Sequence, residues 1–288
     1  MTAGAKDRTP IVLKFGGELL EDSKRLYSVV AGIAPVAAAG EPLVIVHGAG
    51  KEIDAALAAA GVEKRQVDGL RITDQATLDV VVAVLGVVNT RFVAALNMAG
   101  VEAVGLTGAD ARCGLSDEAS RHRATDGRSV ELGRVGVPAN DADSRLLTTL
   151  TAAGFVPVLA CIGLGSDGRL LNVNADTLAG HVAARLAVRR LVIAGTTPGV
   201  LDEGGTTLRV VDRETIEHLI TGRTVTAGMI AKLRACEHAL MHGAAEAIIV
   251  DGRDRAALES AALGEPPAAA TRVLLQAKPT AKAAGAHH

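Results

Sequence analysis

A lysine followed by two glycines, Lys14-Phe15-Gly16-Gly17, ends the first apolar run of the chain. Backbone N–H groups at such a turn can bind an anion, glycine lets a phosphate approach the main chain, and an ammonium adds a point charge. Taken alone, this pattern is more often an exposed lysine beside a tight turn. It therefore predicts a phosphate site only if other segments support it.

A second glycine turn, His47-Gly48-Ala49-Gly50, follows the apolar run 42–46 and precedes Lys51. It is not a Walker P-loop, because Glu52 replaces the required Ser or Thr. We interpret His47 as a packed, hydrogen-bonded core residue. Two glycine turns at neighbouring strand ends are more informative than one, since a polyanion could bridge them.

The segment Gly163–Gly168 fits the G-x-G-x-x-G pattern of dinucleotide sites. Such a site needs a helix at the third glycine, but residues 169–173 resemble a strand. We therefore predict a hairpin turn here and reject a Rossmann oxidoreductase.

Three further polar positions could carry chemistry. Asn172 and Asn174 point the same way in an extended stretch, so their amides could address one ligand. Asp176 begins a helical pattern, where it is either a helix cap or a carboxylate that orients nearby lysines. Lys232 lies near the start of another helix and by itself is a surface lysine.

Short apolar runs alternate with longer helical patterns, which predicts a doubly wound α/β sheet with ligands at the carboxyl ends of its strands. Residues 129–137 alternate and predict a small rim hairpin, and the Ala/Pro-rich stretch 264–270 predicts a loop. The pattern from 73 to 99 predicts one long helix or a broken pair. The predicted strands are 10–13, 42–46, 101–106, 155–162, 190–194 and 247–250, and the other predicted helices include 22–39 and 51–60.

The composition narrows the function further. Of 288 residues, 49% are hydrophobic, and 30 basic side chains face 32 acidic ones, so a nucleic-acid binder is not expected. Aromatics are 1%, which leaves no stacking platform for bases. The three cysteines lack metal-ligand spacing and indicate a reducing, cytoplasmic setting. No uninterrupted apolar run reaches 18 residues, so we expect no membrane span.

Together and in this order, the motifs resemble the amino acid kinase family over residues 10–252. The segments that carry the resemblance are 14–17, 44–50, 69–74 (G-L-R-I-T-D), 171–176 (L-N-V-N-A-D), 198–202 and 228–232. The resemblance implies a three-layer αβα sandwich with a mainly parallel central sheet. It also implies a substrate and dimer lobe at about 10–170, a nucleotide lobe at about 171–288, and flexible ends at 1–9 and 278–288.

Within the family, the motifs are most similar to the branch that phosphorylates the side-chain carboxylate of N-acetyl-L-glutamate, giving N-acetyl-L-glutamyl 5-phosphate early in arginine biosynthesis. ATP would be the donor, with Mg²⁺ carried by its phosphates and no protein metal site. Because a carboxylate nucleophile is already ionised at pH 7, no general base is required.

The resemblance also implies roles for individual residues. The catalytic residues would be Lys14, Lys232 and Asp176, with the two lysines on either side of the phosphoryl group and the aspartate holding them. The substrate would contact Ala49, Gly50, Arg71 and Asn172. The phosphates and nucleotide would contact Gly16, Gly17, Gly48, Gly195, Thr196 and Gly199.

The sequence departs from the family at Ala49, where a third glycine is usual, and at Thr196, where an aspartate is usual on the nucleotide side. Only 13 residues precede Lys14, whereas the arginine-inhibited hexameric branch has a longer N-terminal helix. We therefore expect a homodimer that arginine does not inhibit.

Two other functions stay open at this stage. A kinase for an aminoadipate derivative differs by one methylene in its substrate, worth about 1–3 kcal/mol. If its substrate were carrier-bound, a basic rim should exist, and Arg121, His122, Arg123 and Arg128 form a modest basic cluster. A non-catalytic nucleotide-binding member is the other possibility, which the presence of Lys14, Asp176 and Lys232 disfavours.

Overall fold

The structure is a computed structural model that describes residues 9–119, 121–124 and 127–276. Of the ends predicted to be flexible, 1–9 and 278–288, all but residue 9 lie outside these residues. Within the described residues the α-helices are α1 (Ser23–Ala38), α2 (Gly50–Ala59), α3 (Gln75–Met98), α4 (Arg145–Ala152), α5 (Ala175–Arg185), α6 (Arg213–Thr221), α7 (Ala227–Met241) and α8 (Arg255–Leu263).

The strands are short and numerous, and two 3₁₀ turns (Gly17–Leu19 and Asp110–Arg112) lie between them. In the described part of the chain they are β1 (Ile11–Phe15), β2 (Leu43–His47), β3 (Gln66–Val67), β4 (Leu70–Arg71), β5 (Ala103–Thr107), β6 (Ser116–Glu118), β7 (His122–Arg123), β8 (Ser129–Val130), β9 (Val135–Pro138), β10 (Val156–Ala160), β11 (Ile162–Leu164), β12 (Leu170–Val173), β13 (Arg190–Gly195), β14 (Val200–Leu201), β15 (Thr207–Leu208), β16 (Val210–Val211), β17 (Ala247–Asp251) and β18 (Thr271–Val273).

The central sheet has the order β16-β18-β17-β13-β1-β2-β10-β5. The six strands from β17 to β5 are parallel, and β18 pairs antiparallel with β17. These six are the six strands predicted from apolar runs. Strands β1, β2, β10 and β13 are buried along their whole length, as expected for strands covered on both faces.

Helices cover both faces of this sheet. On one side α1 packs against α3 and α8, and on the other α5 packs against α7. The α5–α7 contact is close, because a Cβ at Gly180 would stand 2.6 Å from the carbonyl oxygen of Ala235. The two helices can therefore hold the side chains they carry at a fixed separation. This arrangement confirms the predicted αβα sandwich with a mainly parallel sheet.

A second sheet, of order β11-β12-β9-β6, lies beside the central one. Strands β11 and β12 pair antiparallel, which confirms the hairpin at Gly163–Gly168. The predicted hairpin over 129–137 is wrong: β8 pairs with β7, whereas β9 pairs with β12 and β6. Alternation indicates a strand with one buried face but does not choose its partners, and here both partners of β9 are distant in sequence.

Residues 75–98 form one helix, α3, rather than a broken pair. Judged by length and composition alone, it is the one helix in the described residues that could cross a membrane. In the structure, 33% of its most apolar 18-residue stretch is buried. In this fold α3 packs on α1, α2 and β5, and its buried Asn89 hydrogen-bonds into the core. These contacts are those of a helix that covers one face of the sheet and leaves its own outer face exposed.

His47, at the end of β2, is fully buried, as the sequence predicted. The Asn89 amide donates hydrogen bonds to His47 Nε2 (3.0 Å) and to the Val158 carbonyl (2.8 Å). His47 Nδ1 faces the carbonyl oxygen of Gly48 at 3.3 Å, which assigns the proton to Nδ1. Burial lowers the pKa of His47 to about 4, only partly offset by the Gly48 hydrogen bond.

We expect acid to destabilise the fold through His47. Between pH 6.5 and 4 the unfolded chain binds a proton that the folded imidazole does not, so stability falls as the pH falls, by up to about 3 kcal/mol from this group. The variant His47→Gln can still accept a hydrogen bond from Asn89, and its free energy of unfolding should fall less steeply as the pH falls. Urea unfolding between pH 6.5 and 4 measures the stability of the natural protein and of the variant. If stability falls equally with pH in the two proteins, His47 is not the source of the acid sensitivity.

Candidate active site

The two glycine turns of β1 and β2 lie directly against each other. A Cβ on Gly17 would stand 2.6 Å from the Cα of Ala49 and 2.7 Å from the backbone nitrogen of Gly50. Only glycine at position 17 permits this approach. The two turns that were predicted to bridge a polyanion therefore form one continuous surface of main chain.

Beside this surface, three charged side chains from three elements meet. Lys14 projects from β1, and its Nζ lies 2.7 Å from Oδ1 of Asp176 in the first turn of α5. Lys232 comes from α7, with Nζ 3.4 Å from both carboxylate oxygens of Asp176. Lys14 and Asp176 are only 3% and 6% exposed. The structure thus brings together all three residues predicted to be catalytic.

Asp176 stabilises the charges of the two lysines, which otherwise repel each other. Burial opposes the charged form of Lys14, but the Asp176 carboxylate outweighs it and raises the pKa of the lysine. Burial likewise opposes ionised Asp176, yet the two lysines hold its pKa below the usual value. The pKa of Lys232 is lowered by burial and then by the Lys14 ammonium. Asp176 is the common counterion of both cations.

The cap of α5 is Asn174, whose Oδ1 accepts from the backbone nitrogens of Asp176 (2.9 Å) and Thr177 (3.1 Å). The prediction that Asn172 and Asn174 address one ligand is therefore wrong, because Asn174 has left the strand and satisfies the helix N-terminus. Capping by Asn174 leaves the Asp176 carboxylate available to the lysines.

A cavity of about 560 Å³ opens beside the glycine turns. Its lining includes three predicted site residues, Gly50, Arg71 and Thr196. The other lining residues are Glu18, Arg25, Lys51, Asp54, Gln66 and Arg253.

Arg71 is oriented for an anionic ligand. Its Nη2 binds Asp54 and approaches the carbonyl oxygen of Gly50, while the buried Nη1 has no hydrogen-bond partner in the described part of the chain. A buried guanidinium nitrogen without a partner is costly, and a carboxylate in the cavity would satisfy it. Asn172 lies in the same network, donating to Thr73 Oγ1, which donates to the Arg71 carbonyl.

Gly195 ends β13 next to Lys232, since a Cβ there would lie 3.5 Å from Lys232 Cε, and neither residue lines the cavity. Thr196 follows and is exposed. Gly199 does not line the cavity; a Cβ there would stand 2.4 Å from Thr271 Oγ1, so this glycine is explained by packing.

The departure at Ala49 is accommodated within the fold. Ala49 is 1% exposed and lies outside the cavity lining, and its negative φ of −149° is not the left-handed conformation that favours glycine. Its methyl group is therefore buried, and the predicted contact of Ala49 with the substrate stays a prediction. Gly48 is tightly placed too, because a Cβ there would be 3.3 Å from that of Ala175.

Sequence reasoning missed Glu18, Asp54 and Arg253. Glu18 directly follows the first glycine pair, a position that could have drawn attention to it. Arg253 follows the carboxyl end of β17, where its guanidinium is clasped by Asp251 at 2.7 Å. Asp54 has no local signal, because its partner Arg71 is supplied by a separate β-hairpin.

We expect Asp176→Asn to lower the free energy of unfolding by about 3–5 kcal/mol at pH 7, because two ammonium groups would lose their shared counterion. Raising the pH should recover part of the loss as a lysine gives up its proton. Urea unfolding at pH 7 and pH 9 measures this, with exposed Asp167→Asn as the matched control. A loss equal to that of the control would show that the triad does not stabilise the fold.

Comparison with known proteins supports the same assignment. The sequence model of the amino acid kinase family matches residues 9–251. An acetylglutamate kinase of Rhizorhabdus wittichii is 40% identical over 247 residues, covering 84% of this chain and 82% of the relative. One of Methanopyrus kandleri is 40% identical over 244 residues, covering 83% and 94%.

Solved structures share the architecture. A crystal structure of a Streptococcus mutans protein aligns with a TM-score of 0.73 at 27% identity, covering 84% of this chain and 95% of that one. The N-acetylglutamate synthase of Neisseria gonorrhoeae was solved with coenzyme A and N-acetyl-glutamate. It aligns with a TM-score of 0.80 at 23% identity, covering 94% of this chain and 60% of that one. At this identity the similarity supports a shared fold only. With the matched fold, motifs and charged triad, this chain belongs to the amino acid kinase family.

Proposed function

We propose that the chain transfers the γ-phosphoryl group of ATP to the side-chain carboxylate of N-acetyl-L-glutamate, giving N-acetyl-L-glutamyl 5-phosphate for arginine biosynthesis. The observation that carries this proposal is the pair of lysines, Lys14 and Lys232, held by one carboxylate beside two abutting glycine turns. The curated relatives named acetylglutamate kinase, at about two fifths identity over most of both chains, support the substrate.

Such a site can perform the transfer by positioning and charge. The substrate carboxylate forms the new bond to phosphorus, the bond from phosphorus to the bridging oxygen breaks, and ADP leaves with that electron pair. Lys14 and Lys232 approach from different elements and stabilise the negative charge on the phosphoryl oxygens. Asp176 keeps both ammonium groups in place before the substrates arrive.

The two substrates would occupy opposite sides of the cavity. Arg71 would bind the α-carboxylate of the acetylated amino acid through its free nitrogen, with Gly50 and Asn172 nearby. The backbone of Gly16, Gly17 and Gly48 would contact phosphate oxygens. Gly195 and Thr196, at the end of β13, would contact the nucleotide.

The residues present fit a magnesium ion carried by the nucleotide. Mg²⁺ prefers oxygen ligands and is commonly held by one or two carboxylates together with substrate phosphates. Asp176 is engaged by two lysines, but no ion pair in the described residues holds the Glu18 carboxylate. When bound, the ion would neutralise phosphate charge, and Glu18 is the cavity residue suited to face it.

The competing functions are not favoured. Two members of the basic cluster that a carrier-bound aminoadipate substrate would need are paired with carboxylates, His122 with Asp68 (2.7 Å) and Arg121 with Glu131 (3.3 Å). A non-catalytic member would have no need of two lysines held at low exposure by Asp176. The relatives of known name also point to acetylglutamate.

We also propose the division into a substrate and dimer lobe (about 10–170) and a nucleotide lobe (about 171–288), with the protein acting in the cytoplasm. A homodimer would cover the outer face of α3, where Val87 is 57% exposed and Met98 87% exposed. Size-exclusion chromatography with light scattering should give twice the 29.3 kDa chain mass. A mass of one chain, or of six, would refute the dimer.

The direct test is an ATP and Mg²⁺ assay in which hydroxylamine traps the acyl phosphate. N-acetylglutamate should be strongly preferred over N-acetylaminoadipate and free glutamate, with no effect of added arginine. Preference for the aminoadipate derivative would contradict the proposed substrate. Absence of acyl phosphate with all three compounds would contradict the proposed activity.

In the same assay, Lys232→Ala should reduce kcat by about 10²–10³-fold, as for loss of one preorganised donor. Lys24→Ala, an exposed lysine on α1, is the control for a lost surface charge. Circular dichroism should show that both variants are folded. An unchanged kcat in Lys232→Ala would remove this lysine from the mechanism.

A further inference from the structure

Glu18 places a carboxylate at the first glycine turn. A Cβ on Gly16 would fall 2.3 Å from both carboxylate oxygens of Glu18 and 2.4 Å from its Cδ. The carboxylate therefore covers the main chain of Gly16, in the space that the absent side chain leaves. Glu18 also lines the cavity with Gly50, Arg71 and Thr196.

This carboxylate acts on both lysines of the triad. Glu18 contributes to raising the pKa of Lys14 and opposes the lowering of that of Lys232. Among the described residues, the Glu18 carboxylate accepts no hydrogen bond and forms no ion pair within 4.0 Å. It is therefore available to interact with a ligand. It is a negative charge held beside the phosphate-binding surface and open to the cavity.

Such a charge discriminates between two forms of a nucleotide. The bare triphosphate brings its full negative charge towards the Glu18 carboxylate, and like charges at contact distance in a partly buried site repel strongly. With a divalent cation on the phosphates, the same carboxylate faces a positive ion, directly or through its water. The sign of the interaction reverses with the metal.

We propose that Glu18 is a specificity-determining residue that makes this site select the metal complex of the nucleoside triphosphate over the metal-free form. The inference rests on the proposed function, since it places the phosphates at the glycine turns. The effect lies in nucleotide binding and is separate from transition-state stabilisation by the lysines.

The test is isothermal titration calorimetry of ATP, without acceptor substrate, in excess Mg²⁺ and in EDTA. The Kd for ATP in EDTA divided by the Kd in excess Mg²⁺ should be about tenfold lower in Glu18→Gln than in the natural protein. Most of the change should be tighter binding of metal-free ATP, which a merely structural role would not produce. Glu63→Gln, an exposed glutamate outside the cavity lining, should keep the natural ratio.

The outcomes separate the inference from the function on which it rests. An equal ratio in the natural protein and Glu18→Gln, with MgATP bound by both, overturns the role of Glu18 and leaves the kinase proposal standing. Failure of the natural protein to bind ATP in either form overturns both. A reduced ratio caused only by weaker MgATP binding also overturns metal selection by repulsion.

Discussion

The rest of the site depends on one carboxylate shared by two lysines. Asp176 is nearly buried, and it joins a strand residue, Lys14, to a helix residue, Lys232, that is far away in sequence. Two ammonium groups that both lie within 3.4 Å of one carboxylate would repel each other in a poorly solvated site. Asp176 makes their juxtaposition stable, so the positive charge is in place before any phosphate arrives and costs little reorganisation when it does.

The backbone around the triad is arranged by close approaches that only small residues allow. Gly17 lets the turn after β1 touch the turn after β2, and Gly180 lets α5 lie against α7, which carry Asp176 and Lys232. A side chain at either position would separate elements whose spacing sets the lysine–carboxylate distances. The glycines thus fix charge geometry as well as giving ligands access to the main chain.

The sequence predicts the local features well and the long-range partners less well. Apolar runs identified the six neighbouring parallel strands of the central sheet, from β17 to β5, and the residue types after β1 and β2 pointed to an anion site. The pairing of Lys14 with Asp176 came from family resemblance, because nothing local in either segment indicates the other. The register of β9 and the Arg71–Asp54 pair were missed for the same reason: their partners are brought by the fold from distant segments. Glu18 was missed because its role depends on the space above Gly16.

The charge balance of the site explains how two negatively charged substrates can meet there. Asp176 and Glu18 offset the two lysines, and Asp54 pairs with Arg71. The cavity lining nevertheless carries more basic than acidic side chains, because Arg25, Lys51 and Arg253 also face it. This excess of positive charge suits two anionic substrates, and in the proposed reaction the remaining phosphate charge would be compensated by an ion that arrives with the nucleotide. In the proposed reaction the lysines would act where charge develops during transfer, which is where preorganised charge lowers the barrier rather than merely tightening binding.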